Sequence, residues 1–286
     1  MGWFALALSS VVFFTTLNLL QRVLAVKSRD PRAMSLVFNF IAAILATLIF
    51  FVTGSHKNFS LPTGYSAWIT LAVACLMYGL YERGRFYAAK YLEASTLIIV
   101  LNISVVVAFI GSLFLYSEPL SLRKLIGATL ILIALSLVSY NKKSFKRGSR
   151  VLKGIMIGFL ISIFLGIGWM LDKLGAAYFN ANTYSILVWT IPIAIIYFPY
   201  IKLATLKNEL KVTSWKIAVL ALLNVIGYLL QLKALELQEA TRVIPIVQTS
   251  TLTTVLAGVV LLNEKEHLVK KVIAGFTAFA GVYFLI

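Results

Sequence analysis

Apolar runs of about 20 residues, the length a helix needs to cross bilayer hydrocarbon, recur along nearly all of this 286-residue chain. Their periodicity predicts ten spans, at about 2–25, 34–53, 66–87, 94–116, 121–140, 152–173, 183–201, 214–234, 243–262 and 267–286. The gaps between them are mostly 4 to 12 residues, too short for a separate soluble domain. The expectation is a single all-α integral membrane protein.

The spans repeat. Shifted by 146, residues 88–140 fall on 234–286, and Ala88, Glu93, Ala94, Ile98, Ser104, Leu115, Glu118, Leu122, Lys124, Ala128 and Ala134 land on identical residues. An odd number of helices per half places the two copies in opposite orientations across the membrane. The pattern therefore predicts ten transmembrane helices as two inverted five-helix repeats, 1–140 and 152–286, joined by a basic linker at 141–151.

Composition changes the picture little. The chain is 60% hydrophobic and 13% charged, with mean hydropathy +0.93, outside the range of soluble domains. The first span has no basic residue before Arg22 and too long an apolar stretch for a signal peptide, so it is expected to be retained. Cys75 is the lone cysteine and allows no intrachain disulfide. With no transit-peptide features, the expected location is a bacterial or archaeal plasma membrane.

The net charge is +16, and the only dense cationic cluster, Lys142, Lys143, Lys146, Arg147, Arg150 and Lys153, lies in the connection between the halves. A loop beside anionic headgroups accounts for it better than nucleic acid does; the expected partners are the bilayer and a small-molecule substrate, for a monomer or homodimer. Loops after odd-numbered spans, with the adjoining span ends, carry 19 Lys and Arg against 6 after even-numbered ones. By the positive-inside rule that bias puts both termini outside.

Several segments carry a family resemblance. "YAAKYLEAS" at 87–95 precedes a long apolar helix and then "YSEPLSLRKLIGATLIL" at 116–132; the second half has "LKALELQEA" at 232–240 and "LNEKEHLVKKVIAG" at 262–275. Over the whole chain this resembles the EamA-like permeases of the drug/metabolite transporter superfamily. Glu118 and Glu264 occupy the acidic position of that family's turn, whereas Ser117 and Asn263 replace its usual glycine. The Trp-Gly pair common in the family's first helix is absent, and Thr15 and Thr16 lie nearby instead. The resemblance implies a transporter, names no substrate, and implies termini in the cytoplasm, against the charge count.

Polar residues within the spans mark candidate substrate contacts, because such groups must face a cavity, a partner helix or an interface. Tyr78, Glu82 and Arg85 share one face of the third span, and the repeat maps them onto Asn224, Tyr228 and Gln231 in the eighth. Asn102 in the fourth span maps onto Gln248 in the ninth. An offset of 151 aligns the first and sixth spans, matching Asn18 with Trp169, Gln21 with Asp172 and Arg22 with Lys173. The two cations lie near span ends, where snorkelling to headgroups is the stronger reading. Only Glu82 and Asp172 are carboxylates within spans, the other eight acidic residues being expected in turns or loops. Interhelical hydrogen bonding is the competing reading for every one of these polar groups. Small residues such as Gly154, Gly158, Gly275 and Gly281 are read as close packing, and Pro192 and Pro245 as kinks or starts, with Pro245 near the beginning of its span.

No HExxH, GxSxG, phosphate loop or metal-ligand cluster is present, so no enzyme activity, cofactor or metal is expected. The reading is a secondary transporter that moves a small polar metabolite, such as an amino acid or a related zwitterion or anion, by alternating access, export being one direction it allows. A non-transporting scaffold or assembly protein and a lipid-linked sugar flippase stay open as alternatives.

Overall fold

The computed structural model describes residues 2–25, 28–59, 61–91, 100–139, 149–261 and 268–286, and these form helices and connections without strands. In the first half the helices are α1 (Trp3–Ala25), α2 (Pro31–Val52), α3 (Tyr65–Tyr91), α4 (Ile103–Tyr116) and α5 (Leu122–Ser139), with a 3-10 turn at Ser55–Asn58. The second half has α6 (Ser149–Phe179), α7 (Ala181–Thr190), α8 (Pro192–Tyr197), α9 (Leu203–Thr213), α10 (Lys216–Leu237), α11 (Ala240–Gln248), α12 (Ser250–Leu261) and α13 (Leu268–Leu285). Among the described residues, four stretches are long and apolar enough to cross a membrane: Trp3–Leu20, Pro31–Val52, Leu152–Phe179 and Lys216–Leu237. Shorter apolar helices cover Ile103–Tyr116 and Ala181–Tyr197. Val12 of α1, Phe114 of α4 and Phe276, Phe279 and Tyr283 of α13 are exposed, a surface suited to lipid and not to water.

Local chemistry sets several boundaries. Asp30 caps α2 by accepting from the N–H groups of Arg32 and Ala33, with Pro31 in the first turn where its missing donor costs nothing. Asn180 caps α7 in the same way through Thr183 N–H, at 3.0 Å. Three expected spans are interrupted. The fourth has a turn at Asn102, the seventh divides at Ile191 before Pro192, and the ninth divides at Thr249. Because α11 starts at Ala240 and not at 243, Pro245 lies inside it, and its missing N–H leaves the Thr241 carbonyl without a helical partner. Two acidic residues expected in loops are helical, Glu209 in α9 and Glu236 in the last turn of α10.

Packing follows one scheme in both halves. α3 lies along α6 while α10 lies along α1; α4 packs on α6 while α12 packs on α1; α2 meets α10 while α7 and α8 meet α3; and α5 and α13 pack on each other. Exchanging the halves turns each of the first three pairings into its counterpart and leaves α5 on α13 as it stands. The match extends to atoms. A methyl on Gly166 would stand 2.7 Å from the Ser104 carbonyl oxygen and 2.6 Å from Val107, and the repeat-equivalent Thr15 hydroxyl meets Thr253 and the Ser250 carbonyl.

Candidate functional site

Asp172 of α6 is fully buried. Three tyrosine hydroxyls donate to its carboxylate: Tyr78 of α3 to Oδ2 at 2.7 Å, Tyr228 of α10 to Oδ1 at 2.8 Å, and Tyr184 of α7 to Oδ1 at 3.3 Å. Among the described residues no cation pairs with it; the neighbouring Lys173 points elsewhere. Two glycines make room for the rings. Gly168 and Gly175 lie one turn before and after Asp172, on its face of the helix. A methyl at Gly168 would come within 2.9 Å of the Tyr78 ring, and one at Gly175 within 2.1 Å of the Tyr184 ring. The Tyr78 and Tyr228 rings meet edge to face at 6.2 Å, and Trp189 extends the aromatic wall from Tyr228 at 5.8 Å to Phe38 at 6.1 Å.

Glu82 lies one turn beyond Tyr78 but belongs to a different cluster. Its carboxylate accepts from Ser35 Oγ at 2.8 Å and Asn39 Nδ2 at 3.3 Å, both on α2, and pairs with Arg85 at 3.1 Å. The Arg85 guanidinium also lies over the Phe38 and Tyr81 rings, at 5.5 and 5.7 Å. This carboxylate is neutralised within the fold.

A third carboxylate ties the halves together at one end of the bundle. Glu118, in the turn after α4, accepts from the first N–H groups of α11, Ala240 at 2.9 Å and Thr241 at 3.2 Å, and from the Thr241 hydroxyl at 2.5 Å. Lys173 pairs with it at 2.9 Å and lies 5.1 Å from the Tyr116 ring centre. Nearby, Lys124 pairs with Glu239 at 2.7 Å. Burial works to raise the Glu118 pKa, but hydrogen bonds from Thr241 and Lys173, with the lysine's charge, outweigh it and hold the carboxyl below its ordinary value. The acidic position of the turn thus caps a helix of the other half.

The remaining candidates are dispersed. Asn18 donates to Thr254 Oγ1 at 3.3 Å. The Gln21 side chain lies outside the described residues. Trp169 is half-buried against the core and Asn224 is half-buried on α10. Asn102 and Gln248, expected as matched amides inside unbroken helices, sit instead at the interruptions of the fourth and ninth spans, and the Asn102 Nδ2 is buried without a partner. Gln231 is buried with an unpartnered Nε2. The sequence reading missed Tyr184, Ser35 and Asn39. The glycines around Asp172 were the available signal for a bulky neighbour at that residue.

The EamA-like transporter family profile matches residues 1–140 and 152–286. No curated protein matches the chain in sequence. A solved crystal structure superposes with a TM-score of 0.72 over 98% of this chain and 94% of its own, at 13% identity, a likeness of fold alone. The paired segments at 87–132 and 232–275, the recurrent helix packing and the two-part profile match agree: this chain belongs to the EamA-like transporter family, a family of transporters and not of enzymes.

Proposed function

We propose that the chain is a secondary transporter that moves a small polar solute, such as an amino acid or related zwitterion, across the plasma membrane by alternating access of two inverted five-helix repeats. The observation that carries this reading is Asp172, a carboxylate buried among helices of both halves and held by hydroxyls alone. The exchange-symmetric packing of the helices supports the repeat architecture.

The donor arithmetic suggests how Asp172 couples. An ionised carboxylate only accepts, and three hydroxyls satisfy it; once protonated it must donate from one oxygen. At least one tyrosine must then turn its hydroxyl away or leave. Tyr78, Tyr184 and Tyr228 stand on α3, α7 and α10, so proton binding alters contacts among four helices at once. A solute ammonium approaching Asp172 would compete for the same oxygens. Purified protein in liposomes, given a metabolite panel with and without an imposed proton gradient, tests the reading. Gradient-driven accumulation of a polar solute supports it, and absence of uptake and efflux for the whole panel removes it.

A further inference from the structure

The two helix caps extend the repeat to α2 and α7. Asp30 and Asn180 perform the same function, so a shift of 150 aligns these helices and places Ser35 on Ser185, Phe38 on Val188 and Asn39 on Trp189. With the shift of 146 for α3 and α10, the four-residue cluster Ser35, Asn39, Glu82 and Arg85 maps onto Ser185, Trp189, Tyr228 and Gln231. In the first half, three donors converge on the Glu82 carboxylate. In the second half each donor position is again a donor, yet the carboxylate is replaced by Tyr228, whose hydroxyl is turned to Asp172.

The consequence is visible in the hydrogen bonding. Ser185, Trp189 and Gln231 are 2%, 8% and 2% exposed, and Ser185 Oγ, Trp189 Nε1 and Gln231 Nε2 all lack a partner. Buried donors are almost always satisfied. Three unsatisfied ones in a set that the other half satisfies with a carboxylate call for an acceptor from outside the fold.

We infer that Ser185, Trp189 and Gln231 form the subsite for a hydrogen-bond-accepting oxygen of the transported solute, a carboxylate or carbonyl group. The inference rests on the transporter reading above. All three donors are uncharged, Gln231 standing where the first half has Arg85, and Asp172 lies just across Tyr228. The bound group therefore carries no uncompensated negative charge: it is an amide or other carbonyl oxygen, or the carboxylate of a zwitterion whose ammonium faces Asp172. Trp189 meets both Tyr228 and Phe38 edge to face, which gives the solute an apolar aromatic border.

The test uses the full-length purified protein and matched sets of amino acids, their primary amides and their decarboxylated amines, read by ligand-induced shifts in unfolding temperature and by uptake in liposomes. The expected result is that acids or amides bind at least about tenfold more tightly than the matching amines, because a site built to bond an oxygen rejects analogues lacking it. Ser185→Ala, Trp189→Phe and Gln231→Met should each erase that preference, weakening the binding of acids and amides more than that of amines. The unliganded Ser185→Ala and Gln231→Met variants should melt no lower than wild type, because each loses an unsatisfied donor with little change of shape, whereas Trp189→Phe also gives up ring packing. Equal binding of acids and amines, unchanged preference in the variants, or no shift from any panel member would overturn the assignment. A lower melting point in both unliganded Ser185→Ala and Gln231→Met would do so too, identifying water as the resident partner. Unaltered uptake in the variants sinks the subsite alone, whereas oxygen-dependent binding without uptake of any solute sinks the transporter reading alone.

Discussion

Glu82 and Asp172 are both buried in apolar helices, yet the fold treats them oppositely. Glu82 is matched with a guanidinium and two neutral donors, so its charge is compensated within the protein. Asp172 is matched with hydroxyls only. A hydroxyl stabilises the anion but leaves its charge in place, and it can reverse its bond when the carboxyl gains a proton. On the proposed transporter reading, the contrast separates a structural carboxylate from one free to exchange a cation. Tyr78 and Glu82, neighbours on one face of α3, thus serve different purposes: α3 borders both α2 and α6, and a turn of helix decides which neighbour a side chain meets.

The largest effect should come from removing the exchangeable charge. Asp172→Asn retains acceptors for the tyrosines and no longer changes charge. Its expected phenotype is complete loss of gradient-driven accumulation with solute exchange preserved, measured in liposomes over a pH series. If accumulation persists in Asp172→Asn, the comparison with Glu82 fails at its first step.

Glu82→Gln should do the reverse. It breaks the buried pair between Glu82 and Arg85, which typically costs about 3–5 kcal/mol. The measurement is thermal unfolding together with proton coupling: stability falls steeply, and whatever protein remains folded still responds to the gradient. Removing both charges, Glu82→Gln with Arg85→Met, should recover part of the loss, and the double-mutant cycle isolates the pair.

A smaller perturbation reaches the Asp172 cage from behind. In Gly175→Ala the new methyl meets the Tyr184 ring at 2.1 Å, so the ring must move. Overpacking of this kind costs about 1–3 kcal/mol. Accumulation should weaken without disappearing, since Tyr78 and Tyr228 remain. Tyr184→Phe in the same background should add little, because the bond is already lost.

Much of this arrangement could be read from residues alone, and the part that could not has identifiable causes. Long apolar runs gave the membrane helices because length and hydropathy are properties of the segment itself. Tyr78, Tyr228 and Asp172 stood out because polar groups are rare and costly in such segments. Their assembly into one cage depends on which helix neighbours which, a matter of tertiary packing that periodicity does not encode. Tyr184 carried no signal: it sits among Asn182, Thr183 and Ser185 on a helix with weak amphipathic pattern. Asn102 and Gln248 were matched across the repeat from sequence, but a polar residue in an apolar run looks the same in a continuous helix and at a break. Glu118 was recognised as a motif position, while its bonds to Ala240 and Thr241 lie more than 120 residues away along the chain.

Glu118 offers the mildest and most graded test, as a carboxylate between the two extremes. It has a cation, Lys173, but it also rests on the N–H groups of a helix end, and its pKa lies below the ordinary value. Proton linkage then fixes the sign. A carboxyl whose folded pKa is depressed adds stability in full above its unfolded pKa, about 4.3 for glutamate. That contribution drains away as pH falls through the lower folded value. Glu118→Gln keeps an acceptor for Thr241 and has no charge to lose, so it forfeits the contribution at every pH. At pH 7 the cost should be about 1–2 kcal/mol, the range for a well-placed charge at a helix terminus. Unfolding temperatures measured from pH 7 down to pH 3 should therefore show wild type above the variant near neutrality and the two curves converging below about pH 4.3. Parallel curves through that interval would mean that the Glu118 charge contributes nothing to closing this end. Divergence on acidification would reverse the sign and mark Glu118 as a group whose ionised form the fold disfavours.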